Sequence, residues 1–411
     1  VRSADRPSNG AGPGVNLFLA TWVSVICFWA WTLIGPLSTR YASQMSLSSN
    51  REALLVATPI LVGALGRIAT GLMTDRFGGR TMFIGVSVAS ILPVLAVGYA
   101  AKIGSYPLML VAGFFLGVAG TVFAIGIPFA NNWFAPQRRG FATGVFGMGM
   151  VGTAVSAFFT PRFVKWFGLF TTHLIVAVAL AVSALLCVVL MHNGPRFVPN
   201  TTPVAPKLKA AARLRVTWEM SLLYGLVFGG FVAFCSYLPI YIKTVYDFTA
   251  VGAGERTAAF ALAAVLARLL GGTLADHIAP KYVVLASLAG IAVQTLISVF
   301  KPPADIWSGL TFLPLAVALG IGTGGVFAWV SHRAPAGSVG SVTGIVAAVG
   351  GLGGYFPPLV MGATYDPVHN SYAVGLLLLV ATAVILFGYT AIFLRAYEPL
   401  VSQSPSSSGS R

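Results

Sequence analysis

Long apolar runs separated by short polar breaks dominate the chain, and their lengths predict what it builds. A hydrocarbon core of about 30 Å needs roughly 20 apolar residues at a helical rise of about 1.5 Å each. Twelve runs meet this requirement, near 16–37, 53–74, 81–101, 106–130, 141–160, 171–191, 219–242, 251–275, 282–300, 309–331, 339–362 and 372–395. Turn-forming clusters break them, among them "DRFGGR" at 75–80, "APQRRG" at 135–140 and "KPPAD" at 301–305. The longest break, at 192–217, is polar and basic and reads as a linker between two groups of six. The expected parts are an N-terminal tail at 1–15, a first bundle at 16–191, the linker at 192–217, a second bundle at 218–396 and a tail at 397–411. The last of these is rich in Ser and Pro and is expected to be disordered.

Composition agrees. Of 411 residues, 57% are hydrophobic and 9% charged, whereas a soluble domain carries about 25% charged residues. The formal charge of +15 would suggest a nucleic-acid partner in a soluble chain. In a membrane protein it reflects basic residues in loops facing the cytoplasm, so no nucleic acid is expected. With the N-terminus inside, the inner segments hold fifteen Lys and Arg and the outer segments eight. Both termini are therefore predicted cytoplasmic, in a multi-pass protein of the cell's inner (plasma) membrane. Arg162 and Lys165 run against the rule, since they fall just beyond the fifth run on the outer side. Residues 1–14 are polar and small and resemble no cleavable signal peptide. Cys27, Cys187 and Cys235 lie in apolar runs without metal-ligand spacing, so neither a metal, a cofactor nor a disulfide is expected.

The chain repeats itself. "GALGRIATGLMTDR" (63–76) aligns without gaps to "AVLARLLGGTLADH" (264–277), which places Arg67 on Arg268 and Asp75 on Asp276. "TGVFGMG" from Thr143 matches "TGIVAAVG" from Thr343 in the same way. Two halves related by duplication imply two pseudo-symmetric bundles and a transporter with its site where the halves meet.

Arg67 and Arg268 are the two basic residues deep inside a predicted helix, and every acid falls near a helix end or in a loop. An arginine at mid-helix costs about 2.5–3.5 kcal/mol on insertion scales. Two such costs at matching positions point to an anionic ligand as compensation. Snorkelling is the rival explanation, but each Arg lies eight residues before its loop Asp, a long reach along the helix. A guanidinium suits an oxyanion because it stays charged and offers a planar fork of donors. The glycine-rich stretches "GVFGMGMVG" (144–152) and "GIVAAVGGLGG" (344–354) let helices approach closely, and Pro161, Pro357 and Pro358 are expected to kink or end them. A lone His173 at the start of the sixth helix is expected to be structural.

"GLMTDRFGGR" (71–80) resembles the loop motif of the major facilitator superfamily, and "GTLADHIAPK" keeps a reduced copy with Asp276 and Lys281. The resemblance covers nearly the whole chain and implies an all-α integral membrane fold of twelve transmembrane helices. The paired arginines, with "FATGVFGMGMVGTA" and "VTGIVAAVGGLGGYFPP", resemble the nitrate/nitrite porter family within it. The first signature departs at Met150, where that family carries Asn. The resemblance implies that Arg67 and Arg268 bind the anion, that Phe123 and Phe228 sandwich it, and that Tyr224 donates a hydrogen bond. Gly147, Gly149, Gly350 and Gly351 would line the path through their backbone. It also implies that Asp75, Arg76 and Arg80, with Asp276 in the copy, act in gating. The expected activity is not enzymatic: a monomer in the lipid bilayer moves nitrate and nitrite by alternating access. Two guanidinium charges about 7 Å apart repel by roughly 2–3 kcal/mol at an effective dielectric of 20, so the loaded protein should switch more easily than the empty one. This favours nitrate/nitrite exchange. The alternatives are a proton-coupled nitrate symporter, an organic-anion antiporter and a non-transporting anion sensor.

Overall fold

The computed structural model describes residues 12–135, 138–199, 205–302, 307–335 and 338–394. The expected C-terminal tail at 397–411 and the first eleven residues lie outside this set. Among the described residues, twelve helical runs are long and apolar enough to cross a membrane. They are α1 (Pro13–Met45), α2 (Ser49–Phe77), α3 (Gly79–Ile103), α4 (Tyr106–Trp133), α5 (Phe141–Phe167), α6 (Leu169–Leu190), α7 (Arg215–Tyr246), α8 (Ala250–His277), α9 (Pro280–Val299), α10 (Phe312–Arg333), α11 (Val339–Ala363) and α12 (Ala373–Phe393). Helices are the expected solution, because in hydrocarbon each segment must satisfy its own backbone hydrogen bonds. Large apolar side chains stay exposed on them, such as Leu92, Ile385 and Ile392. Such faces belong against lipid chains rather than water.

Several runs exceed their expected bounds, because polar residues at helix ends continue the backbone ladder past the apolar stretch. α5 runs on through Pro161 to Phe167, so Arg162 and Lys165 lie within the helix rather than beyond it. A short helix, Ala205–Ala212, forms inside the expected linker and packs on the first part of α11.

The contacts divide the chain into two units. The first comprises residues 1–204 and 235–258, and the second comprises 205–234 and 259–411. The division therefore falls inside α7 and α8. In the first unit α3 packs along α6 and α2 along α4. In the second, α9 packs along α10 and α12. The α3/α6 and α9/α12 pairs occupy equivalent places in the duplicated sequence.

Among the described residues four spans change pitch, α1 doing so at Gly35–Leu37. α4 tightens to a 3-10 helix at Gly117–Val122, α5 at Met148–Val151 and α11 at Leu352–Gly354. Both glycine signatures therefore carry the same interruption, a feature often found at hinges. Glycine allows it by removing the side chain where backbones meet: any side chain at Gly353 would collide with the Gly225 carbonyl of α7. Pro357 and Pro358 restart α11 after its 3-10 turn, at the head of the segment Phe356–Ala363.

Candidate functional site

Arg67 is set by its helix. It lies on α2 among small residues, is 3% exposed, and points its guanidinium into an aromatic corner of the first unit. Its Cζ lies 5.5 Å from the centroid of Phe123 on α4 and 5.9 Å from that of Trp31 on α1. Phe123 immediately follows the 3-10 turn of α4 and is backed by Phe146 of α5 at 5.9 Å. Gly126 makes room for the Phe146 ring, which a side chain there would strike.

The second unit has a related arrangement. Arg268, on α8, is half-buried, with its Cζ 5.5 Å from the ring of Phe327 on α10. Phe327 meets the Tyr224 ring edge-on at 4.7 Å, and Tyr224 stacks on Phe228 at 4.7 Å and 7°. Tyr224 and Phe228 are one helical turn apart on α7, which brings their rings together, and both are fully buried. The Tyr224 ring also lies where a side chain on Gly350 would sit, 2.5 Å from its Cδ1.

Phe327 was not singled out in the sequence, although a signal was there. "GTVFA" (120–124) recurs as "GGVFA" (324–328), which carries Phe123 onto Phe327. The repeat is short, and only the matching 5.5 Å distances to the two arginines give it weight.

The four glycines expected to line a path separate into different environments. A side chain at Gly147 would meet open space, whereas one at Gly149 would lie 2.5 Å from Ser24 of α1. Gly350 backs on Tyr224, and Gly351 closes the α-helical part of α11 before its 3-10 turn. Met150 is buried in the 3-10 turn of α5, where its carbonyl accepts a hydrogen bond from Thr153 Oγ1 at 2.9 Å.

The loop-motif residues lie at the expected cytoplasmic ends of their helices. Gly78 turns the chain between α2 and α3 with φ +84°, a conformation suited to glycine. Arg80 then donates to the Val188 carbonyl of α6 at 2.7 Å. In the second unit Lys281 donates to the Ala391 carbonyl of α12 at 2.9 Å. Each cation thus sits on a terminal carbonyl, where the helix dipole favours positive charge. Arg76 lies over its neighbour Phe77, and Asp276 is exposed at the end of α8.

Three groups of polar contacts were not legible in the sequence. Glu219 is only 4% exposed on α7, with ion pairs to Arg215 at 2.7 Å and to Arg333 of α10 at 2.8 Å. Tyr389 of α12 donates to the same carboxylate at 3.5 Å. Within the first unit, Arg162 of α5 pairs with Glu255 of α8 and lies over the Phe158 ring at 3.6 Å. This pairing gives the anomalous Arg162 a partner. His173 is fully buried: Nδ1 donates to the Leu169 carbonyl at 2.8 Å, and Nε2 shares a hydrogen bond with the Tyr41 hydroxyl at 3.0 Å. With both ring nitrogens engaged, His173 joins α6 to α1.

Twelve membrane spans, a duplicated half and a matched pair of intramembrane arginines define a class of secondary transporter. Residues 20–358 match the family model of the Major Facilitator Superfamily, and the chain belongs to that superfamily and to the nitrate/nitrite porters within it. It is a multi-pass membrane transporter, not an enzyme. Over 393 residues it is 69% identical to "Probable nitrate/nitrite transporter NarK2" of Mycobacterium tuberculosis, covering 96% of this chain and 99% of that one. It is 34% identical to the "Nitrite extrusion protein" of Bacillus subtilis, over 91% of this chain and 92% of the relative. A bacterial homologue of the human lysosomal transporter Spinster, solved in an inward-facing and unoccupied conformation, shares the fold. Its TM-score is 0.70 at 18% identity, over 94% of this chain and 99% of that one.

Proposed function

We propose that this protein exchanges nitrate and nitrite across the plasma membrane by alternating access, and that Arg67 and Arg268 supply the positive charge that receives the anion. The observation that carries the proposal is the repeated seat. Two arginines at duplicated positions each lie 5.5 Å from a phenylalanine, and the two phenylalanines belong to the same repeated motif. An aromatic face beside a guanidinium fits a small, flat, delocalised anion, which can be hydrogen-bonded in its plane and packed on its face. The name of the 69% identical relative from Mycobacterium tuberculosis supports the same cargo. Phe123, Phe228 and Tyr224 contribute the rings and the hydroxyl. Gly147, Gly149, Gly350 and Gly351 line the anion's path through their backbone. Asp75, Arg76, Arg80 and Asp276 serve the gate. The protein works as a monomer with both termini in the cytoplasm.

Exchange follows from charge. On this reading the two guanidinium charges are compensated only while an anion is held, so the empty protein should switch slowly. Purified protein in liposomes should take up labelled nitrate when nitrite is trapped inside and much more slowly when the lumen holds no transported anion. Equal rates in the two preparations would refute exchange.

Glu52 of α2 favours a second reading, proton-coupled nitrate uptake. Its Oε1 is buried and without a hydrogen-bond partner among the described residues, while the carboxylate has Ser38 and Lys243 beside it, the latter donating to Thr39 Oγ1 at 3.1 Å. Nitrate uptake driven by an imposed pH gradient into liposomes without internal anion, and abolished by Glu52→Gln, would establish symport instead.

A further inference from the structure

We propose that Trp31 is a positioning residue for anion transport, one whose indole face fixes the Arg67 guanidinium in the orientation that meets the anion. The proposal rests on the reading of Arg67 as an anion-binding residue.

The seat for this indole is built from three helices. Trp31 closes the regular part of α1, Pro13–Trp31, and is 3% exposed. Its Nε1 donates to the Pro59 carbonyl of α2 at 2.8 Å, which fixes the rotation of the ring. Two glycines make room for it. A side chain at Gly63 of α2 or at Gly120 of α4 would come within 2.6 Å of indole atoms. The ring is therefore gripped on both sides, with its polar edge satisfied, and the Arg67 Cζ lies 5.9 Å from its centroid. Gly63 precedes Arg67 by one helical turn on α2, so the helix that presents the arginine also forms a wall of the Trp31 seat. A rigid aromatic at this distance attracts the guanidinium and restricts its plane, which a fork of donors requires for two-point binding.

The duplication does not explain this residue. It carries Phe123 onto Phe327 but carries Trp31 onto the neighbourhood of Phe231, whose ring lies 6.2 Å from that of Phe228. Trp31 thus makes the two arginines unequal. Arg67 is held between rings from α1 and α4 and is 3% exposed, while Arg268 meets the Phe327 ring and is half-buried. Of the two arginines, Arg67 is thus the more firmly held within its own unit.

The test is a pair of double-mutant cycles on the full chain. In liposomes loaded with nitrite, nitrate KM and kcat are measured for wild type, Trp31→Leu, Arg67→Lys and the double variant, with Trp31→Phe as the conservative control. Loss of the indole should raise KM about three- to thirty-fold, the range of a cation–π contact, with a much smaller change in kcat. Trp31→Phe, which keeps an aromatic face, should recover most of the loss. In the Arg67→Lys background, Trp31→Leu should add little, because its effect passes through the guanidinium. Equal KM factors in both backgrounds, or an unchanged KM in Trp31→Leu, would overturn the proposal. The second cycle needs no substrate: thermal unfolding of the purified protein for Trp31→Leu, Arg67→Leu and both together. Non-additive midpoints support the contact, and additive ones overturn it. If wild type moves no nitrate while the unfolding cycle stays non-additive, the transport reading fails and the Trp31–Arg67 contact stands.

Discussion

Replacing Arg67 by Lys keeps the charge and removes the fork, so it separates electrostatic attraction from planar recognition. The site is 3% exposed, with aromatic rings 5.5 and 5.9 Å from the guanidinium carbon, so water can do little to compensate for a missing donor. An ammonium group at the end of a shorter reach can make one hydrogen bond to a flat oxyanion where the guanidinium makes two. Losing one charge-assisted hydrogen bond costs about 1.5–3 kcal/mol, a ten- to hundred-fold rise in KM. Arg67→Gln removes the charge as well. A unit pair at about 4 Å and an effective dielectric of 20 is worth about 4 kcal/mol, so this variant should lose roughly three orders of magnitude and show no measurable exchange. Arg268→Lys should be milder than Arg67→Lys, because Arg268 is half-buried and its partners can adjust. The assay is nitrate/nitrite counterflow in proteoliposomes at fixed protein density, with gel filtration in detergent confirming that each variant is folded. A wild-type KM in Arg67→Lys would show that the fork is irrelevant. Robust exchange in Arg67→Gln would remove Arg67 from the site altogether.

Three other outcomes follow from single contacts. Phe327→Leu should raise nitrate KM several-fold through loss of the ring beside Arg268, while Phe327→Tyr should retain most activity; identical kinetics for Leu and wild type in the same counterflow assay would deny the aromatic a part. Glu219→Gln weakens the contacts of a buried carboxylate with Arg215, Arg333 and Tyr389, the first exposed and the second part-buried, so it should lower the detergent unfolding midpoint by a few degrees, a cost of about 1–2 kcal/mol; an unchanged midpoint in a thermal-shift measurement would contradict this. In the loop between α11 and α12, Asp366 is held below the usual carboxylate range, mainly by its hydrogen bond to His369 and then by the Val368 amide. A depressed carboxyl contributes stability above its unfolded pKa of about 3.9 and loses it as pH falls through the lower folded value, so exchange protection of the Val368 amide should fade only in that acid range and be absent at every pH in Asp366→Ala.

Much of this protein follows from the linear sequence. The bilayer asks for apolar runs of a given length, and the chain supplies twelve of them. Duplication was visible in the matching of Arg67 with Arg268, and the insertion cost of an intramembrane guanidinium marked both as candidate site residues without any structure. Family motifs named Phe123, Phe228 and Tyr224, although the sequence alone could not tell them from packing residues. Contacts between segments distant in sequence were out of reach, because the period and composition of one helix say nothing about the face its neighbour presents. Trp31 beside Arg67, Phe327 beside Arg268, Glu219 among Arg215, Arg333 and Tyr389, and Arg162 against Glu255 each join different helices. The sequence determined the spans and the charges that must be compensated. Only tertiary packing decided which rings and carboxylates surround them, because that choice depends on how the helices pack side by side, with glycines such as Gly63, Gly120 and Gly353 setting how closely they approach.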